Sequence, residues 1–237
     1  MIAGIRVAEA VFRAVDEKVD FEVGCTDGSR VSPGDHVAVI GGRARSLLAA
    51  ERTALNFLQR LSGIATATAE AVRLAQGAGV RILDTRKTTP GLRRLEKYAV
   101  LMGGGVNHRR GLYDAYLIKE NHITVAGGVG KAIEEARLHR AAQSGSAAVP
   151  ITVEVRGLEE LGEALEHRPD RVMLDNFSPR LAAQAVAMVG GRAEVEISGG
   201  VTLENLRAYA AARPDFISLG WLTHSAPALD LSMSIVS

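Results

Sequence analysis

Arg171-Val172-Met173-Leu174-Asp175 is followed by helical spacing over 179–189 and then by Ala193-Glu194-Val195-Glu196-Ile197-Ser198-Gly199-Gly200. A short apolar run, a helix and a second apolar run make one strand–helix–strand unit, the connection that joins parallel strands. The same rhythm extends in both directions. Arg81-Ile82-Leu83-Asp84, Ala115-Tyr116-Leu117-Ile118-Lys119 and Ile151-Thr152-Val153-Glu154-Val155 precede it, and Phe216-Ile217-Ser218-Leu219-Gly220 follows it. Helical stretches over 130–142, 158–166 and 203–212 fill most of the gaps. Near-continuous apolar strands alternating with helices predict a parallel sheet covered by helices. No GxGxxG follows the first run, so a closed or nearly closed α/β barrel is favoured over a dinucleotide-binding sheet. Its functional groups then belong at the strand C-termini.

The first sixty residues have a different texture. Residues 1–20 read as an amphipathic helix. Phe21-Glu22-Val23 and His36-Val37-Ala38-Val39-Ile40 are strand-like runs set among the turn signals Asp27-Gly28, Pro33-Gly34 and Gly41-Gly42. A long helical pattern runs over 43–75, with a break expected at Gly63 and with Leu48, Leu55 and Leu58 marking its apolar stripe. Arg52 falls on that stripe. If the stripe is buried, Arg52 must meet a carboxylate, a ligand or another subunit; otherwise it snorkels to the edge.

Over 237 residues the net charge is +1, 47% of residues are apolar and 23% are charged. This balance excludes a dedicated nucleic-acid surface, and no apolar run reaches the length that spans a bilayer. The single cysteine, Cys25, can form no internal disulfide and reads as a small, partly buried hydrophobe. With no secretory leader pattern at the N-terminus, the reducing cytoplasm is the expected compartment.

Chemistry collects at the predicted strand ends. Arg86, Lys87, His108, Arg109 and Lys119 lie in loops or at a strand terminus, whereas Arg93, Arg94 and Arg110 read as solvated surface. Crowded cations repel one another, so a cleft holding them calls for a highly anionic ligand. Glu154 and Asp175 come from adjacent strands and would lie side by side. Such a pair suits acid–base work, a Mg²⁺ ion shared with substrate oxygens, or a structural salt bridge. Ser198-Gly199-Gly200, read as leading into a helix near Leu203, and the turn from Gly220 to His224 would cradle phosphate or serve as tight turns.

Longer runs carry a resemblance. Glu51-Arg52-Thr53-Ala54-Leu55-Asn56, Leu61-Ser62-Gly63-Ile64-Ala65-Thr66, Asp84-Thr85-Arg86-Lys87-Thr88-Thr89-Pro90-Gly91, Gly103-Gly104-Gly105-Val106-Asn107-His108-Arg109, Leu117-Ile118-Lys119-Glu120-Asn121-His122 and Leu174-Asp175-Asn176 closely resemble quinolinate phosphoribosyltransferases. The resemblance implies a six- or seven-stranded, partly open α/β barrel over 65–224. It also implies a small N-terminal α/β sandwich domain over 1–64, joined by a C-terminal return over 225–237. Family members carry a longer segment before the stretch that Met1-Ile2-Ala3-Gly4 matches, so that domain is expected to be shortened.

By the same resemblance, Arg86, His108, Arg109 and Lys119 would bind the two carboxylates of quinolinate, with Thr85 beside them and Lys87 shared between the two substrates. Glu154 and Asp175 would hold the ribose hydroxyls and Mg²⁺, and with Lys119 they would form the catalytic set. Ser198, Gly199 and Gly200, with Gly220 and His224, would take the 5′-phosphate of phosphoribosyl pyrophosphate. Arg52 would reach into the partner's site of a homodimer. Two residues depart from the family pattern: Arg156, where an acidic or small residue is expected, and Trp221, where a small one is usual. Two further readings stay open, a transferase for another base such as nicotinate and a non-catalytic relative that binds a phosphorylated metabolite.

Overall fold

A computed structural model describes residues 1–143 and 149–236. Residues 144–148 of the expected barrel domain and Ser237 of the expected return lie outside them. In chain order the elements are α1 (Ile5–Val15), β1 (Asp20–Val23), β2 (Ala38–Gly41), α2 (Ala44–Ala75), β3 (Arg81–Leu83), α3 (Arg93–Met102), β4 (Tyr116–Ile118), α4 (Glu120–Ala126), α5 (Val129–Ala142), β5 (Ile151–Val155), α6 (Leu158–Glu166), β6 (Arg171–Asp175), α7 (Pro179–Val189), β7 (Glu194–Ser198), α8 (Leu206–Ala210), β8 (Phe216–Ser218) and α9 (Trp221–His224). The chain divides into two compact units. One comprises Met1–Val72, Lys87–Asn107 and Gly220–Ser237, the other Arg73–Arg86 and His108–Leu219.

In the first unit β1 and β2 form an antiparallel pair. Ile5, Ala8 and Phe12 recur along one face of α1 and bury that face with Phe21, Leu47, Ala50, Ala54 and Leu58. A second small core gathers Ala3, Leu61, Ile64, Ala65, Ala99, Val100 and Ala226. The buried stripe of α2 therefore runs through Leu47, Ala50, Ala54, Leu58 and Leu61. Leu48 is 57% exposed, and Arg52 is exposed with it. Of the stripe expected through Leu48, Leu55 and Leu58, Leu58 enters the core, but Leu48 and Arg52 lie one helical position away from the face the core selects.

Nor does α2 break at Gly63; it is continuous from Ala44 to Ala75. A Cβ at Gly63 would lie 2.0 Å from the Pro227 carbonyl oxygen, so this glycine admits a close backbone crossing by the C-terminal segment. At the start of α2, the Asp16 carboxylate accepts hydrogen bonds from Arg43 Nη2 at 2.7 Å and Ser46 Oγ at 2.8 Å. Those bonds, Arg43 foremost, with a further one from the Lys18 amide, lower its pKa from 3.8 to about 2. A lowered carboxyl pKa contributes stability above the unfolded value, and that contribution disappears as pH falls through the folded one. Asp16→Asn is therefore expected to unfold at a lower temperature than the wild type at neutral pH. The gap should narrow as pH falls from about 4 to about 2; thermal midpoints that differ equally at every pH would contradict this.

In the second unit six parallel strands lie in the order β3-β8-β7-β6-β5-β4. Read as a ring, this is chain order with one pairing missing, between the first strand and the second. That is the arrangement of an α/β barrel left open at one seam. Val153, Val155, Val172, Leu174, Val195 and Ile197 are buried and alternate with Glu154, Met173, Asp175, Glu196 and Ser198. Helices cover the aliphatic face, as when Leu161, Ala164 and Leu165 of α6 and Ala182, Ala185 and Val189 of α7 are buried. The other face is polar. There the Phe216 ring lies between the guanidinium groups of Arg81 and Arg171, at 3.9 and 3.8 Å. Local signals agree with these boundaries: Ser178 caps α7 through the Leu181 amide, Pro179 opens it, and Gly190 ends it in a left-handed conformation. Among the described residues no helix is long and apolar enough to cross a membrane.

Candidate active site

The C-terminal strand ends of the second unit hold several of the expected residues in small local groups. Asp84, fully buried just past β3, accepts the backbone N–H of His108 at 2.8 Å and so ties the His108 segment to the first strand. Thr85 and Arg86 continue from Asp84, and Arg86 is exposed. Arg109 is partly buried and donates from Nη1 to the Ala115 carbonyl at 3.1 Å. Burial first, and then the positive charge of Arg86, push the Arg109 pKa down, against a smaller opposing effect from Asp114. Two guanidinium groups close enough to repel are what an anionic ligand would relieve.

Lys119 follows β4 directly, and its Nζ stands 2.5 Å from Glu154 Oε2 on β5. Asp175 ends β6 and pairs in register with Ser198 of β7, which pairs in turn with Ser218 of β8. Glu154 and Asp175 lie on adjacent strands with side chains on the same face, because Glu154 is in register with Met173, two residues before Asp175. The Asp175 carboxylate accepts from Asn176 Nδ2 at 2.8 Å.

Ser198-Gly199-Gly200 forms an open turn rather than the start of a helix. Residues 203–205 are a turn and α8 begins only at Leu206, which corrects the helix expected near Leu203. Gly199 and Gly200 have φ of 84° and 64°. A Cβ on Gly199 would meet Asn176 Oδ1 at 2.2 Å, so both its backbone conformation and its neighbour demand glycine. Asn176 is itself left-handed, with φ 56°, and its amide donates to the Ser198 carbonyl at 2.8 Å. The ends of β6 and β7 are therefore locked together just below the exposed turn.

Other expected residues lie in the first unit. Thr223 Oγ1 donates to the Lys87 carbonyl at 2.7 Å, and a Cβ on Gly220 would lie 3.1 Å from Lys87 Cδ and 3.4 Å from His224 Nε2. Lys87, Gly220 and His224 are thus gathered at one place within that unit. Arg52 stands apart from them on the exposed face of α2. Of the two departures, Arg156 turns to the surface, pairing with Glu160 at 2.5 Å and Glu120 at 2.8 Å, and partly buried Trp221 opens α9.

The residue reading overlooked Glu196. It is fully buried on the polar face of β7, with Oε2 3.2 Å from Arg171 Nη1 and 3.5 Å from His108 Nε2. Burial pushes its carboxyl up, but His108, Ser218 and Arg171 outweigh that and hold it below the ordinary carboxylate range. The ring of His108 also accepts the Arg109 amide at Nδ1, 2.7 Å away, which leaves Nε2 as the nitrogen facing the carboxylate. The signal was present in the sequence: a glutamate between Val195 and Ile197, at an interior position of a buried strand, needs a charged partner.

The chain matches the N-terminal domain of quinolinate phosphoribosyl transferases over residues 1–62 and their C-terminal domain over 64–234. It is 43% identical to a probable nicotinate-nucleotide pyrophosphorylase (carboxylating) from Bacillus subtilis, covering 99% of this chain and 80% of that one. Against a mitochondrial quinolinate phosphoribosyltransferase (decarboxylating) from Nicotiana glauca the identity is 42%, over 99% and 70% of the two chains. Among solved structures, NadC from Streptococcus pyogenes superposes with a TM-score of 0.92 at 43% identity, over 98% of this chain and 81% of that one. The nicotinate-nucleotide pyrophosphorylase from Francisella tularensis gives 0.92 at 42%, over 98% and 80%. The chain belongs to the quinolinate phosphoribosyltransferase family.

Proposed function

We propose that this protein transfers the phosphoribosyl group of phosphoribosyl pyrophosphate to quinolinate with loss of one carboxyl group, giving nicotinate mononucleotide, pyrophosphate and CO₂. The observation that carries the reading is the Lys119–Glu154 ion pair at the ends of adjacent strands, with Asp175 on the next strand; partly buried Arg109, its pKa lowered by burial and then by the Arg86 charge, supports it. A dicarboxylate relieves that repulsion, and Arg and Lys are the side chains suited to receive it.

Arg86, Arg109 and Lys119, with Thr85, hold the two pyridine carboxylates and orient the ring nitrogen toward the ribosyl carbon, so that attack becomes effectively unimolecular. His108, whose Nδ1 accepts the Arg109 amide and whose Nε2 faces Glu196, positions the Arg109 backbone beside them. Ser198 and the amides of Gly199 and Gly200 receive the 5′-phosphate. Lys87 is shared between the two substrates, and Gly220 and His224 meet the phosphorylated one as well. As the carbon–oxygen bond to pyrophosphate breaks, positive charge grows on the ribosyl carbon, and the carboxylates of Glu154 and Asp175 offset it. The nitrogen supplies the electron pair for the new bond and becomes a pyridinium. The positive nitrogen then stabilises the electron pair left on ring carbon 2 when the adjacent carboxylate departs as CO₂, and a proton taken up by that pair at carbon 2 completes the product.

Among the described residues no group of three or more His, Cys, Asp or Glu could hold a metal ion, so the donor set does not suit an all-protein cage. Two hard carboxylates on neighbouring strands do fit Mg²⁺, which is commonly held by one or two carboxylates together with substrate oxygens. Glu154 and Asp175 would hold it, and when bound it would neutralise charge on the departing pyrophosphate.

Purified protein given quinolinate, phosphoribosyl pyrophosphate and Mg²⁺ is expected to form nicotinate mononucleotide and CO₂ in equal amounts. Nicotinate, with one carboxylate, should be a far poorer acceptor. Equal or better turnover with nicotinate, or none with quinolinate from folded protein, would overturn the assignment.

A further inference from the structure

Within the first unit, a buried ion pair joins four chain segments. Glu96 of α3 is fully buried. Its Oε1 accepts from Arg60 Nη2 at 2.9 Å, from Arg60 Nε at 3.3 Å and from Thr89 Oγ1 at 2.7 Å, and its Oε2 accepts the Thr89 amide at 3.0 Å. Arg60, on α2, uses its remaining donors on the main chain. Nη1 bonds the Ala226 carbonyl at 3.1 Å and Nη2 bonds the Thr223 carbonyl. Fully buried Thr223 closes the circuit through the hydroxyl bond to the Lys87 carbonyl already described.

The backbone is thus held just past Lys87, at its own carbonyl and at the amide of Thr89. The segment running from Gly220 through His224 is held at Thr223 and Ala226. A buried ion pair is weak evidence for stability, because removing two charges from water offsets most of their attraction. A fork of fixed planar donors meeting two carbonyls and a carboxylate does, however, set the relative position of the segments it touches.

We propose that Arg60 and Glu96 are positioning residues that register Lys87 against the Gly220–His224 turn and thereby set the affinity for phosphoribosyl pyrophosphate. This rests on the proposed function, which has those three residues meet that substrate. Neither Arg60 nor Glu96 touches substrate. Of the residues proposed to meet quinolinate only Lys87, shared between the two substrates, belongs to this unit, whereas Arg86, Arg109 and Lys119 belong to the other. KM for phosphoribosyl pyrophosphate should therefore respond more strongly than KM for quinolinate.

The test uses Arg60→Gly and Thr89→Val in the full-length protein, with KM measured separately for each substrate. Arg60→Gly should raise KM for phosphoribosyl pyrophosphate at least tenfold and KM for quinolinate less than threefold. Millimolar guanidinium chloride should restore much of the loss, and equal sodium chloride should not. Thr89→Val, which removes one hydroxyl donor and keeps the ion pair, should raise the same KM about threefold to tenfold. It carries the test if Arg60→Gly does not fold. Equal shifts in both KM values, or a fall in kcat alone matching a smaller folded fraction, would mean a structural role only and would overturn the inference. A wild type that fails to turn over either substrate would instead strike the proposed function.

Discussion

Arg52→Ala is expected to lower kcat/KM at least about 100-fold, because two charge-assisted hydrogen bonds to a carboxylate are worth roughly 1.5 kcal/mol or more each. Both units should stay folded. Arg52 is exposed on α2, and among the described residues its side chain makes no ion pair or hydrogen bond. The expectation rests on the proposal that Arg52 reaches into the site of a second subunit. Leu48, 57% exposed one turn earlier on the same helix, marks an apolar and cationic face that the chain's own core leaves uncovered. Mixing Arg52→Ala with Lys119→Ala is then expected to restore activity that neither has alone. In a two-fold dimer the hybrid carries one site with both residues intact, so equal mixing yields up to about a quarter of the wild-type rate. Confirmed subunit exchange without recovery would show that Arg52 does not act across an interface.

Asp175→Asn should act on the chemical step. The substitution keeps the shape and the reach toward Asn176 but removes the negative charge beside the ribosyl carbon. Removing one preorganised electrostatic group from a site of this kind lowers kcat by about 100- to 1000-fold. KM for quinolinate should change little, since in the proposed mechanism the pyridine carboxylates are held by cations on other loops. Glu154→Gln is a less clean probe, because it also strips Lys119 of its carboxylate partner at 2.5 Å. Rates for Asp175→Asn within threefold of wild type, at saturating concentrations of both substrates, would remove Asp175 from the mechanism.

Where hydrophobic pattern and element coincide, the fold was readable to the residue. The strands at 151–155 and 171–175 and the helices at 158–166 and 179–189 are found as expected, because each helix presents a continuous apolar face and each strand is flanked by polar turns. The elements that went unread have no such face. α4 buries none of its residues, and α3 buries Glu96 and Lys97, whose charges disguise an inward-facing helix surface. Gly63 looked like a helix break because its role, admitting the Pro227 backbone, depends on a segment more than 160 residues away.

The site divides in a similar way. Arg86, Arg109, Lys119, Glu154, Asp175 and Ser198 could be placed at strand ends because the strand boundaries were legible and chemistry follows them. Glu196 and the Arg60–Glu96 pair could not. A glutamate inside a buried strand announces that it needs a cation, but which cation serves, distant in sequence, emerges only once the fold brings them together. Arg52 was legible as an anomaly, but the direction it faces was misjudged, since Leu47 rather than Leu48 enters the core.

The most direct trial is a crystal structure of the protein with quinolinate and an unreactive analogue of phosphoribosyl pyrophosphate. The expected complex has the pyridine carboxylates against Arg86, Arg109 and Lys119, the 5′-phosphate against Ser198, Gly199 and Gly200, and the ribose hydroxyls facing Glu154 and Asp175. Quinolinate bound away from those cations, or a phosphate bound with the 198–200 turn empty, would contradict the account.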